Sequence, residues 1–201
     1  MADGLVHVLD DDEQVRTALA RLLRATGYEV KTHASSASYL GEPPPVPPCC
    51  LVLDVQMPDV TGLEMQAALA RLGSNVPIIF LTGHGDIPMS VRAMRAGAVD
   101  FLTKPVDRDM LVAAVNAAFA RHATAVSGQQ QLDEMRARLE ALTPREREVF
   151  EAVVEGKLNK QIAGQLEIAE RTVKAHRSQV MEKMRANSVA DLGRAWELLH
   201  K

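Results

Sequence analysis

A chain of 201 residues with 47% apolar side chains, 24% charged side chains and a formal net charge of −3 has the composition of a packed globular protein, one large domain or two small ones. Aromatic residues make up only 3%, which argues against base stacking as a means of holding nucleic acid, and no apolar run approaches the roughly 18 residues of a membrane helix. The opening Met-Ala-Asp-Gly lacks the basic and apolar stretches of a secretion signal, so a cytoplasmic protein without membrane contact is expected.

Through residue 122, short apolar runs alternate with helical patterns. Residues 5–9, 28–32, 50–53, 78–81 and 99–102 read as strands, and residues 14–26, 36–40, 62–72, 88–96 and 107–122 as helices. Such alternation predicts a doubly wound α/β domain, five parallel strands with helices on both faces. Runs such as Ile-Ile-Phe-Leu are continuous, as in strands buried on both sides. The proline-rich stretch 43–48 cannot be helix and is placed as a stiff loop entering the third strand. The adjacent cysteines Cys49 and Cys50 open an apolar run, which favours burial over redox chemistry.

Beyond residue 122 the strand signals stop. Residues 123–141 read as a helical linker, with a break at Ser127-Gly128 and an apolar stripe of Leu132, Met135, Leu139 and Leu142 at spacings of three and four. That stripe is too short for a stable coiled coil and is expected to pack on its own chain or to contribute weakly to a dimer. Residues 142–201 read as a small all-α domain of four helices, 144–155, 160–166, 171–185 and 189–199. Thr143-Pro144-Arg145-Glu146 supplies a hydroxyl cap, a first-turn proline and a glutamate three residues on, while Gly156 and Asn187 stand where helices should end.

Ligands of a parallel open sheet sit outside the carboxyl ends of its strands. There the sequence sets Asp10-Asp11-Asp12-Glu13 after the first strand, Asp54 after the third, Thr82 after the fourth and Lys104 after the fifth. Carboxylates converging from two strands call for a hard divalent cation, Mg²⁺ for preference. A carboxylate beside such an ion can accept a phosphoryl group, with an ammonium and a hydroxyl to receive phosphate oxygens. Helix capping and solvation are the other reading of the acidic run alone.

In the second half, residues 160–166 and 171–185 form two helices joined by a tight turn. Ile162, Ala163 and Leu166 share one face of the first, and Val173, Val180 and Met184 point inward from the second. The charge follows this division. Residues 1–122 hold 14 acids and 10 bases, whereas residues 156–185 hold seven bases against three acids. A helix-turn-helix fits, its second helix entering the major groove. A helical dimerisation domain with a solvated basic face fits these residues too.

Two resemblances bear on these readings. Val6 to Asp12, Leu53 to Asp59, Thr82 to Asp86 and Lys104-Pro105 resemble the receiver domain of bacterial response regulators, with Thr-Gly-His-Gly-Asp especially like the FixJ branch. Leu142 to Val149, Asn159 to Ala163 and Arg171 to His176 are similar to the LuxR-type four-helix DNA-binding domain. The first implies a flavodoxin-like receiver over 1–122 in which Asp54 is the phosphoacceptor. Asp10, Asp11, Asp54 and the carbonyl of Gln56 would hold Mg²⁺, Thr82 and Lys104 would bind phosphoryl oxygens, and Thr82 with Phe101 would form a switch. It also implies a cis peptide before Pro105 and a loop-structural His84. The second implies groove contacts from Lys174, Ala175 and Ser178, phosphate contacts from Lys160, Thr172 and Arg177, and a DNA contact from Arg171, with His176 packing structurally. Together they imply a sensor histidine kinase, double-stranded DNA and RNA polymerase as partners, homodimerisation on phosphorylation, and no enzymatic turnover beyond self-dephosphorylation. Two rivals are an aspartate-dependent phosphatase, disfavoured by Gln56 where a second acid belongs, and a small-molecule-sensing LuxR-type regulator, which has no use for the acidic strand ends.

Overall fold

The computed structural model describes residues 4–43, 45, 48–83 and 87–200. They divide into two compact units, Met1–Val126 and Ser127–Lys201. In the first, β1 (Leu5–Leu9), β2 (Glu29–His33), β3 (Cys49–Asp54), β4 (Ile78–Thr82) and β5 (Asp100–Thr103) form an all-parallel sheet in the order β2-β1-β3-β4-β5. Helices α1 (Glu13–Ala25), α2 (Ser36–Leu40), α3 (Gly62–Arg71), α4 (Ile87–Arg95) and α5 (Arg108–Glu140) follow the strands in turn. All six residues of β3 are buried, which is why its sequence shows no alternation. Val6, Val8, Val52, Ile79 and Leu81 pack with Leu19, Leu23, Leu111 and Val115 of α1 and α5. The opposite pleat sends Leu9, Leu51, Leu53 and Phe80 against Tyr39, Met65, Leu69 and Ala93 of α2, α3 and α4. The expected doubly wound sheet is therefore present.

The strand order reverses between β1 and β3, which opens a crevice at their carboxyl ends. Local chemistry fixes both lips. Asp12 caps α1, accepting the backbone N–H of Gln14 at 2.7 Å and of Val15 at 3.2 Å. Gly62 opens α3 so close to β3 that a Cβ there would lie 2.5 Å from the Asp54 carbonyl oxygen and 2.9 Å from the Phe80 ring. Glycine allows this approach.

Several expectations need correcting. α5 runs unbroken for 33 residues, through Ser127-Gly128. One glycine costs a helix only about 1 kcal/mol, and its Ala, Gln, Leu, Met and Arg neighbours favour helix. β2 and β5 begin and end one residue later than expected, because backbone pairing takes in His33 and Thr103, which composition does not mark as strand. Cys49 and Cys50 are buried free thiols, burial pushing Cys49 up to about 12 and Cys50 higher still. Pro43, Pro45 and Pro48 lie outside helix and strand, while the rest of that proline stretch and His84 fall outside the described residues. Among the described residues no helix is long and apolar enough to cross a membrane.

The second unit holds α6 (Pro144–Val154), α7 (Asn159–Leu166), α8 (Glu170–Lys183) and α9 (Val189–Leu199). Thr143 caps α6 reciprocally with Glu146, as its sequence promised, and Gly156 takes a positive φ after the helix. Val149, Phe150, Ile162, Val173, Val180, Met184 and Leu192 form its core, with Met135, Leu139 and Leu142 of the linker stripe packed in. α8 ends two residues before the expected 185. Arg185 takes the left-handed turn there, and Asn187 instead donates its N–H to Asp191.

Candidate functional site

Parallel pairing of Leu9 with Leu53 carries Asp10 and Asp54 side by side off the ends of β1 and β3. Both are buried, Asp10 to 1% exposure, and Asp11 beside them is exposed. An oxygen from each of Asp10, Asp11 and Asp54 lies within 4.8 Å of the others. Lys104, after β5, spans the pair: its Nζ donates to Asp10 Oδ2 at 2.6 Å and to Asp54 Oδ2 at 3.0 Å. Its peptide bond to Pro105 is cis, and its own N–H donates to the Thr82 carbonyl at 2.7 Å.

The electrostatics follow from this crowding. Burial pushes the Asp10 carboxyl above its usual range, the Lys104 ammonium opposing and the Asp54 charge reinforcing the shift. For Lys104, burial alone would lower the ammonium, but its bonds to Asp10 and Asp54 outweigh that and hold it above its ordinary value. The Lys104 ammonium thus meets two of the three clustered carboxylates. The donors are all oxygen, as a hard divalent ion requires, so the residues present fit Mg²⁺.

Thr82 is fully buried at the end of β4, one residue past Leu81, the partner of Asp54. Phe101 pairs with Phe80 across β4 and β5, the ring centroids 6.0 Å apart, and is half-buried against the α2–α4 core. Gln56 is exposed two residues after Asp54 and donates its N–H to Asp54 Oδ1 at 3.3 Å. Arg16 was not singled out in the sequence, yet its guanidinium donates to the carbonyls of Asp10 at 2.7 Å and Asp11 at 3.1 Å, tying the acidic loop to α1. Sequence spacing carried no signal for this, since the contact depends on how the loop folds back.

In the second unit, α7, a turn at residues 167–169 and α8 form the expected helix pair. Glu167 takes the left-handed conformation at the turn. Lys160, Arg171, Lys174, Ala175 and Ser178 are exposed, and Thr172, His176 and Arg177 half-buried. Arg177 donates to Asn159 Oδ1 at 2.9 Å, binding α8 to the start of α7. This brace, too, was invisible in the sequence.

Residues 6–116 match the response regulator receiver domain, and residues 140–195 match the luxR family of bacterial regulatory proteins. The chain belongs to the two-component response regulators, with a receiver domain and a LuxR-type DNA-binding domain. Over 197 residues it is 43% identical to the response regulator protein TmoT of Ectopseudomonas mendocina, covering 98% of this chain and 90% of that one. It is 44% identical to the transcriptional regulatory protein FixJ of Rhizobium meliloti, covering 96% and 95%. Among solved structures, the response regulator StyR superposes with a TM-score of 0.87 at 41% identity, covering 98% of this chain and 99% of that one. The family answers to sensor kinases and regulates transcription through DNA, and neither the phosphatase nor the small-molecule-sensing reading is favoured.

Proposed function

We propose that Asp54 takes the phosphoryl group from a phosphohistidine of a cytoplasmic sensor-kinase domain, and that the phosphorylated chain dimerises and binds its DNA site. The observation that carries this is the Lys104 ammonium held between two buried carboxylates at the strand-order switch. In the transfer an Asp54 oxygen bonds to phosphorus as the P–N bond breaks, and the freed imidazole nitrogen regains a proton. Asp10, Asp11, Asp54 and the Gln56 carbonyl would hold Mg²⁺, which when bound neutralises charge on the phosphoryl oxygens. Lys104 then exchanges a carboxylate oxygen for a phosphoryl oxygen, and the Thr82 hydroxyl donates to another. Displacement of Thr82 makes room for Phe101 to turn inward.

The receiver spans 1–122, a helical linker 123–141 and the DNA-binding domain 142–201. Dimerisation through α4 and β5 is supported by the exposed apolar residues Ile87, Val91 and Met94. Lys174, Ala175 and Ser178 face the major groove, Lys160, Thr172 and Arg177 serve the phosphates, Arg171 adds a DNA contact, and RNA polymerase is the downstream partner.

Labelling with acetyl phosphate tests the core of this reading. Asp54→Asn should abolish Mg²⁺-dependent labelling while the folded structure survives. Undiminished labelling of that variant would sink the assignment.

A further inference from the structure

On the opposite side of β1 from the α1–α5 core, two imidazoles stand where the acidic pocket makes no use of them. His7, in the middle of β1, and His33, the last residue of β2, are each 3% exposed, with Nδ1 of the first 2.9 Å from Nε2 of the second. Two neutral rings so placed share one hydrogen bond. Among the described residues His7 Nε2 has no hydrogen-bond partner, and neither has the buried hydroxyl of Tyr39, whose ring packs edge-on against both imidazoles. A buried polar atom left this way is costly, and native proteins tolerate few. A carboxylate oxygen of Glu42, from the turn after α2, lies within 4.8 Å of one nitrogen from each ring. His7, Tyr39 and Glu42 also line a cavity of about 380 Å³, so the cluster has open space beside it.

We propose that His7, His33 and Glu42 bind a borderline divalent transition-metal ion, Zn²⁺ in the first instance, separate from the acidic pocket. Two imidazole nitrogens and one carboxylate oxygen form a donor set that zinc takes in sites with an open fourth position, here facing the cavity. Mg²⁺ prefers oxygen alone, so the two sites sort ions by chemistry. The geometry needs little adjustment. Nitrogens each about 2.0–2.1 Å from one tetrahedral zinc stand roughly 3.3 Å apart, so the rings part by about 0.4 Å. Glu42 now pairs with Lys31 at 2.7 Å, and a carboxylate has a second oxygen to offer. Lys31 is half-exposed and free to turn to solvent. The proposal does not rest on the phosphoacceptor reading.

The test titrates the full-length, tag-free chain with Zn²⁺, and with Co²⁺ as a visible probe, under millimolar Mg²⁺ so that the acidic pocket is occupied. One tightly held equivalent is expected, with the Co²⁺ absorption of a four-coordinate nitrogen and oxygen site. His33→Asn and His7→Gln should each remove it. Glu42→Gln, a change at a half-exposed turn that leaves the fold alone, should weaken it at least tenfold. Asp11→Asn should leave it unchanged. Absence of a retained equivalent in the wild type, equal retention in Glu42→Gln, or loss in Asp11→Asn would each overturn the site.

Discussion

Lys160 and Lys174 carry the same charge and are both exposed, and the proposed function gives their places in the helix pair different tasks on DNA. Lys160 is the second residue of α7, and Lys174 lies in the second turn of α8; in a helix-turn-helix the first helix crosses the backbone and the second enters the groove. A lysine that only neutralises phosphate weakens binding to all sequences alike and lowers the salt slope by about one. A lysine at a base edge costs about 1–3 kcal/mol at its own base pair and relaxes specificity there. Lys160→Ala should behave in the first way and Lys174→Ala in the second, across a salt series on matched and mismatched sites. Equal losses on specific and random DNA for Lys174→Ala would refute the base-reading role. Residues at strand ends, such as Asp10, Asp54 and Lys104, were legible because the end of an apolar run is itself a sequence signal. Arg16, Arg177 and the His7–His33 pair were not, since each meets its partner only through the path of the folded chain.

At the scale of elements, α6 shows how a cap and a core bond can share one side chain. Glu146 accepts the N–H of Thr143 at 2.8 Å and the ammonium of Lys183, from α8, at 2.6 Å. The Lys183 bond, and then the Thr143 N–H, hold its carboxyl below the usual range. A carboxyl lowered on folding stabilises the native state above its unfolded value near 4.5, and that contribution is lost as pH falls through the folded value. Urea midpoints of the DNA-binding unit should therefore drop on acidification below about pH 4.5, and drop less in Glu146→Gln. At pH 7 that variant should cost about 1–2 kcal/mol, as expected for one charged hydrogen bond in a partly exposed pair. A wild-type midpoint that ignores pH from 6 to 3.5 would contradict this. Caps of this kind were legible, since Thr143 and Glu146 advertise themselves by spacing. The unbroken α5 was not, because a glycine penalty of about 1 kcal/mol is small beside the neighbours' helix propensity. The left-handed Glu167 and Arg185 also escaped notice, as glycine or asparagine is the usual signal there.

For the molecule as a whole, the buried residues fall into cores that share no member between the two units. Each unit should melt as its own cooperative transition, giving a calorimetric trace with two components. Mg²⁺ at ten times its dissociation constant adds about 1.4 kcal/mol to whatever binds it, roughly 5 °C for a domain of the first unit's size. Only the receiver's component should move, and a shift of both, or of the other alone, would place the ion elsewhere. The separateness of the cores has a consequence for ancestry as well. A genetic crossover near the codon for Ser127 divides neither set of packed residues, and α6 and α9 keep their own side-chain caps, Thr143 and Ser188. Lineages can therefore trade output domains beneath a constant input domain, and the two halves of such a chain need not share one genealogy.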